Sequence, residues 1–205
     1  MEAFAYIHTP FTKAIKEELD NGVIGDILYM ESTFMTSDYD VSNIRMRRET
    51  YGGALYDLGC YNTSQILWML GEEPEKIQAF GDFSEYGVDM YTSALLKFKS
   101  GTRAALSCGM LLKTEADKRL DRFQIHGTEG YIKSEVRFNQ SGELSYIIGK
   151  DGEEVVKTIT VRDNYSLEVE QLGRCITDGE TPHVSHEFTL KNARTIDRIL
   201  ESIGY

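Results

Sequence analysis

A carboxylate and a phenol four residues apart, Asp57 and Tyr61, stand inside the stretch GGALYDLGCY at 52–61. On a helix that spacing puts both groups on one face, a turn apart, and Gln65 continues the stripe. A phenol so placed can exchange a proton with a substrate hydroxyl while the carboxylate accepts a hydrogen bond that fixes geometry. The spacing equally accommodates a structural arrangement, in which Asp57 caps a loop and Tyr61 packs half-buried. The glycines ask for a further reason. Gly59 in a helix interior costs roughly 1 kcal/mol relative to alanine, and Gly52 and Gly53 stand just before the helix begins.

The elements that must position these residues follow from periodicity. The apolar run Ile66, Leu67, Trp68, Met69, Leu70 and the stop at Gly71 predict a helix over 54–70. Before it, the polar segment 37–53 has little periodicity, and irregular segments of that length in compact domains often line a site. A first helix is predicted from Thr12 to Leu19, followed by a strand over 27–35. Strands are then predicted over 76–83, 88–98, 102–112, 122–127, 131–138, 144–150 and 153–161, with turn signals at KSG, GTEG and KDGE. Two closing helices carry Leu167, Leu172 and Ile176, then Leu190, Ala193, Ile196, Leu200 and Ile203, at helical spacing. Helices at both ends and strands between them predict an α+β fold: a large, mainly antiparallel, open-faced sheet with helices packed on one face. Strands such as VDMYTSALLKF carry apolar groups on both faces, so the free face is expected to be covered by a second copy of the chain, in a homodimer or higher homo-oligomer.

Composition narrows the function classes. A formal charge of -11 over 205 residues repels nucleic acid and anionic membrane surfaces alike. No apolar run approaches the roughly 20 residues that span a bilayer, and the opening MEAFAYIHTPF lacks a leader pattern, so a cytoplasmic protein is expected. Cys60, Cys108 and Cys175 are widely spaced and read as small buried residues. The four histidines make no metal set: His183 and His186 are three apart, but Pro182 and a non-helical start make a shared face doubtful, and no third ligand is evident. There is no GxGxxG and no Walker A pattern, hence no dinucleotide-binding (Rossmann) unit within these residues.

The string GGALYDLGCY resembles the G-G-x-x-x-D-x-G-x-(Tyr or His) signature of the glucose–fructose oxidoreductase, inositol dehydrogenase and MocA (Gfo/Idh/MocA) family. MEAFAYIHTP, NGVIGDILYMES, NIRM, IHGTEGYI and NYSLEVEQLGRCITDGETP extend the similarity over essentially the whole chain. Tyrosine rather than histidine at position 61 places it nearest the trans-dihydrodiol and xylose dehydrogenase branch. The resemblance implies that residues 1–205 are the substrate-binding and oligomerising C-terminal domain of an NAD- or NADP-dependent dehydrogenase acting on a sugar, cyclitol or dihydrodiol. Carried over by position, Tyr61 is the acid/base and Asp57 its partner on the reacting hydroxyl. Asn43, Arg45, His8 and Tyr165 are further substrate contacts, while Gly52, Gly53 and Gly59 allow close approach of cofactor, substrate or a neighbouring strand. The family's lysine, in a Glu-Lys-Pro, has no counterpart here, since EPEK at 73–76 follows the helix. A carboxylate beside Tyr61 raises the phenol's pKa with no ammonium to offset it. The chain alone is therefore expected to bind no dinucleotide tightly and to be inactive. The alternative is a non-catalytic module that uses the same sheet for dimerisation or carbohydrate binding.

Overall fold

The computed structural model describes residues 1–37, 40–110 and 119–205. Among them are four α-helices, α1 (Pro10–Asp20), α2 (Cys60–Leu70), α3 (Asn164–Thr177) and α4 (His186–Ile203). Eight strands accompany them: β1 (Ile27–Thr36), β2 (Pro74–Phe83), β3 (Asp89–Phe98), β4 (Arg103–Gly109), β5 (Arg119–Gly127), β6 (Gly130–Ser134), β7 (Gly142–Lys150) and β8 (Glu153–Val161). They form one sheet in the order β2-β3-β4-β1-β5-β6-β7-β8. Every pairing is antiparallel except that of β1 with β4, where Tyr29 lies beside Arg103 and Met35 beside Gly109. The fold is thus the expected α+β sheet with helices on one face.

Local chemistry accounts for most of the elements. Thr9 caps α1 by accepting from the Thr12 amide, with Pro10 at the first helical position. The KDGE hairpin turns through Asp151 and Gly152, both at positive φ, as a tight turn between β7 and β8 requires. The strand expected over 131–138 ends at Ser134, and Leu111 and Leu112, expected to prolong β4, lie outside the described residues. On β3, Met90, Thr92, Ala94, Leu96 and Phe98 are buried under the helices while Leu95 and Lys97 point the other way. That opposite face is mixed. Phe80 is 83% and Leu95 61% exposed, and near them Ser93 and Ser107 share a 2.8 Å hydrogen bond.

The two closing helices form as expected but do not bury all of their apolar positions. In α3 the apolar positions face outward, with Leu172 42% and Ile176 76% exposed, while Asn164, Glu168 and Gln171 are buried. Its polar face is wanted inside because Asn164 Nδ2 donates to the Gln140 carbonyl and Gln171 Nε2 to the Thr181 carbonyl, closing backbone groups that would otherwise be unpaired. In α4, Ile196 and Leu200 are buried but Leu190 and Ala193 are exposed. Of the cysteines only Cys108 is fully buried.

Candidate active site

The predicted helix over 54–70 is interrupted at its start. Residues Leu55–Gly59 form a π-helical turn, and regular α-helix begins at Cys60. π-turns are rare and occur frequently at functional positions. Here the reason is contact with the sheet. A Cβ on Gly59 would sit 2.5 Å from Leu55 Cδ1 and 3.0 Å from Cys108 Sγ, so only glycine brings this backbone so near β4. The neighbouring-strand reading of Gly59 holds.

Gly52 and Gly53 answer to the chain's own backbone. A Cβ on Gly52 would lie 2.3 Å from the Arg45 carbonyl oxygen, and Gly53 adopts φ +111° with its Cβ direction filled by Asp89 Oδ1 at 2.1 Å. Both are buried rather than open to solvent. Instead they tie the preceding loop to the helix, for the Gly53 amide donates to the Arg45 carbonyl at 2.8 Å and the Gly52 amide to Arg47 at 2.9 Å.

That tie brings Arg45 onto Asp57. Its Nε donates to Asp57 Oδ1 at 2.6 Å, and Asn43 Oδ1 accepts from the Arg45 amide at 3.0 Å, capping the short 3-10 turn Ile44–Met46. Asp38 and Tyr39, in the same segment, lie outside the described residues.

Tyr61 stands one turn on, its ring packed by Phe4, Tyr6, Phe34 and Phe138 at centroid distances of 5.5, 6.1, 5.6 and 5.2 Å. Burial in this aromatic nest raises its pKa above the ordinary phenol value. Cys60, Tyr165 and Asp57 push the same way, and a hydrogen bond with Asn139 opposes them. The expected direction is found, but desolvation rather than the Asp57 carboxylate is its main cause.

Asp57 and Tyr61 line one cleft of about 480 Å³ with Glu2, Tyr56, Ile196 and Asp197. Gln65 leaves the stripe: it is buried and its Oε1 accepts from Ser32 Oγ at 2.7 Å, a turn further on where α2 meets β1. Tyr165 is 57% exposed and its hydroxyl accepts from Asn139 Nδ2 at 3.3 Å. Asp163 caps α3 by accepting from the Tyr165 amide. Asn139 thus bonds Tyr165 and stands beside Tyr61, although nothing in the sequence singles it out. It sits in a turn at φ 60°, a conformation asparagine tolerates. Glu2, also on the cleft, has its pKa raised by burial.

His8 lies elsewhere, and does not line the cleft. Its buried ring stacks on His183 at 5.4 Å, and neither ring nitrogen has a hydrogen-bond partner among the described residues. Burial, aided by His183, pushes its pKa down to about 4. The unfolded imidazole titrates near 6.5, so between these values the unfolded chain binds more protons and stability falls as pH drops. Unfolding by urea should show about 2–3 kcal/mol lost between pH 7 and pH 4 on account of this ring. His8→Phe should remove most of that slope; an unchanged slope would contradict the assignment.

Among the described residues no group of three or more His, Cys, Asp or Glu side chains is placed to hold a metal ion, and no helix is long and apolar enough to cross a membrane.

Comparison with known proteins adds the lineage. The GFO/IDH/MocA C-terminal domain matches residues 12–133. A D-xylose 1-dehydrogenase (NADP(+)) of Haloferax volcanii is 30% identical, the alignment covering 98% of this chain and 61% of that protein. A trans-1,2-dihydrobenzene-1,2-diol dehydrogenase of Xenopus laevis is also 30% identical, covering 100% and 62%. The crystal structure of a 3-ketoreductase from Actinomadura kijaniata, in complex with NADP and TDP-benzene, superimposes with a TM-score of 0.90 at 23% identity, covering 99% of this chain and 62% of that one. The chain therefore spans about three fifths of the length of the relatives it matches.

Proposed function

The chain belongs to the Gfo/Idh/MocA oxidoreductase family, in its C-terminal domain, and from that premise we propose that it is the substrate-binding and proton-handling half of an NADP- or NAD-dependent dehydrogenase. Its substrate is a small polyol, a sugar, cyclitol or dihydrodiol, oxidised at a CH–OH group. The observation that carries this reading is the meeting of Tyr61, Asp57 and Arg45 at one cleft: Tyr61 and Asp57 line it, and Arg45 clamps Asp57.

The division of labour follows from the residues. A nicotinamide dinucleotide, when bound by a separate domain, exchanges hydride with the reacting carbon. Gly52 and Gly53 are filled by the chain's own atoms and give the dinucleotide's phosphates no seat, so residues outside this chain hold it. Tyr61 carries the proton. Its raised pKa keeps the phenol protonated near neutrality, which suits donation to a carbonyl oxygen in the reduction direction. In the oxidation direction the phenol must first lose that proton, and among the described residues no lysine lines the cleft to favour this. Asp57, held by Arg45 and with its side chain only 19% exposed, orients the reacting hydroxyl. Asn43 shapes the loop that delivers Arg45, and Tyr165 borders the phenol through Asn139.

Two further parts of this reading rest on surface chemistry. The open sheet face, with Phe80 and Leu95 exposed, pairs with a second copy of the chain, and the acidic surface suits a soluble protein of the cytoplasm. Residues 1–205 mixed with NADP⁺ or NAD⁺ and D-xylose, myo-inositol or a trans-dihydrodiol should give no reduced cofactor. The same residues joined to a family dinucleotide-binding domain should turn over at least one of them. Turnover by the first mixture, or silence of the second with every polyol, would refute the assignment.

A further inference from the structure

The side chain of Asp89, the first residue of β3, is fully buried, and it has no ion-pair partner among the described residues. Its Oδ2 accepts from the Leu55 amide at 2.9 Å and from Thr92 Oγ1 at 2.6 Å. Its Oδ1, without a hydrogen-bond partner, fills the space where Gly53 lacks a Cβ. A buried carboxylate is expensive to keep unless its position matters to the groups that bond it. The groups that bond this one are the first amide of the π-helical turn and the strand beneath it.

We propose that Asp89 is a positioning residue for the Asp57–Tyr61 pair. By capping the Leu55 amide and filling the hollow at Gly53, it fixes the height and rotation of the turn Leu55–Gly59, which bears Asp57 and leads into Tyr61. It acts on Arg45 along the same path, because the Gly53 amide donates to the Arg45 carbonyl at 2.8 Å. The loop that carries the guanidinium and the helix that carries its carboxylate partner are therefore set from one buried point. Thr92 holds that point from the sheet side. A positioning role for catalysis rests on the function proposed above; the structural coupling does not.

The test uses nitrogen-15 NMR and amide exchange on residues 1–205. In Asp89→Asn, the Leu55 amide bonds a neutral amide oxygen in place of a carboxylate oxygen, a weaker acceptor, so it should exchange about tenfold faster or more. The Arg45 Nε–H resonance should move toward that of a solvent-exposed guanidinium, while circular dichroism stays that of a folded chain. Thr92→Val, which keeps the carboxylate and the volume but removes its second donor, should shift both signals in the same direction by less. Unchanged Leu55 exchange and Arg45 resonance in folded Asp89→Asn would overturn the proposal. If that variant does not fold, unchanged signals in Thr92→Val would do the same. In the complete oxidoreductase, Asp89→Asn should lower kcat about tenfold with the dinucleotide KM unchanged. Asp57→Asn should then cost less in that background than in the wild type, because the two act on one unit. Strictly additive losses would mean that Asp89 only stabilises. Full activity of Tyr61→Phe would refute the functional reading and leave the coupling seen by NMR in place.

Discussion

Tyr61→Phe in the complete oxidoreductase should lower kcat by about 10²–10⁴-fold, the usual range for removing a general acid or base. The substitution deletes one oxygen and little else. The ring remains among Phe4, Tyr6, Phe34 and Phe138, all within 6.1 Å by centroid, so packing is retained and at most one hydrogen bond, toward the neighbouring Asn139, is lost. A single hydrogen bond of that kind contributes about 0.5–1.5 kcal/mol to folding. Stability should therefore barely change while kcat collapses and KM moves little. Steady-state kinetics beside a urea titration separate the two effects. A variant with near wild-type kcat would place the proton elsewhere, with Asn139 and Tyr165 as the polar groups beside the phenol.

The second large effect concerns stability. Leu55 is fully buried, and its Cδ1 occupies the space that a Cβ on Gly59 would need, 2.5 Å away. Leu55→Ala should destabilise the fold by about 2–5 kcal/mol, through lost transfer energy and the cavity left under the π-turn. Gly59→Ala alone puts its new methyl against Leu55 and Cys108, an overpacking that offsets the gain of roughly 1 kcal/mol in helix propensity. In the double variant the clash with Leu55 is gone and the methyl enters the cavity. Leu55→Ala with Gly59→Ala should therefore be about 1 kcal/mol or more stabler than Leu55→Ala alone. Chemical denaturation of the four proteins gives the cycle directly. Additivity within a few tenths of a kcal/mol would show that Gly59 is chosen for some other reason than its fit to Leu55.

Asp57 and Tyr61 were visible as a pair because helical spacing is a local property, and a π-turn still leaves both on one cleft. Arg45 and Asn43 were visible as candidates, but their geometry was not. The Arg45–Asp57 contact depends on Gly52 and Gly53 folding a loop back over twelve residues. His8 was expected near the substrate and is instead stacked on His183, a partner 175 positions away that no spacing rule connects to it. Asn139 escaped notice because a turn asparagine is ordinary in sequence, and its meaning comes from the phenol beside it. α3 buries polar side chains, since its asparagine and glutamine close backbone groups of distant turns that periodicity does not register.

The sequence by itself determined the α+β class, nearly all the strands and their hairpins, the kinship, and the placement of Asp57 and Tyr61 on one face, because alternation, turn chemistry and i,i+4 spacing are short-range. Only the tertiary structure decided that β1 enters the middle of the sheet parallel to β4. The sheet beside that pairing is what β4 presents to the helix. There Cys108 packs close to Gly59, at the end of a π-turn where periodicity predicts the first turn of a regular α-helix. It likewise decided that burial governs the Tyr61 phenol and that Arg45 holds Asp57. Desolvation and ion pairing depend on which distant surfaces close around a group, and that is settled only when the chain has packed.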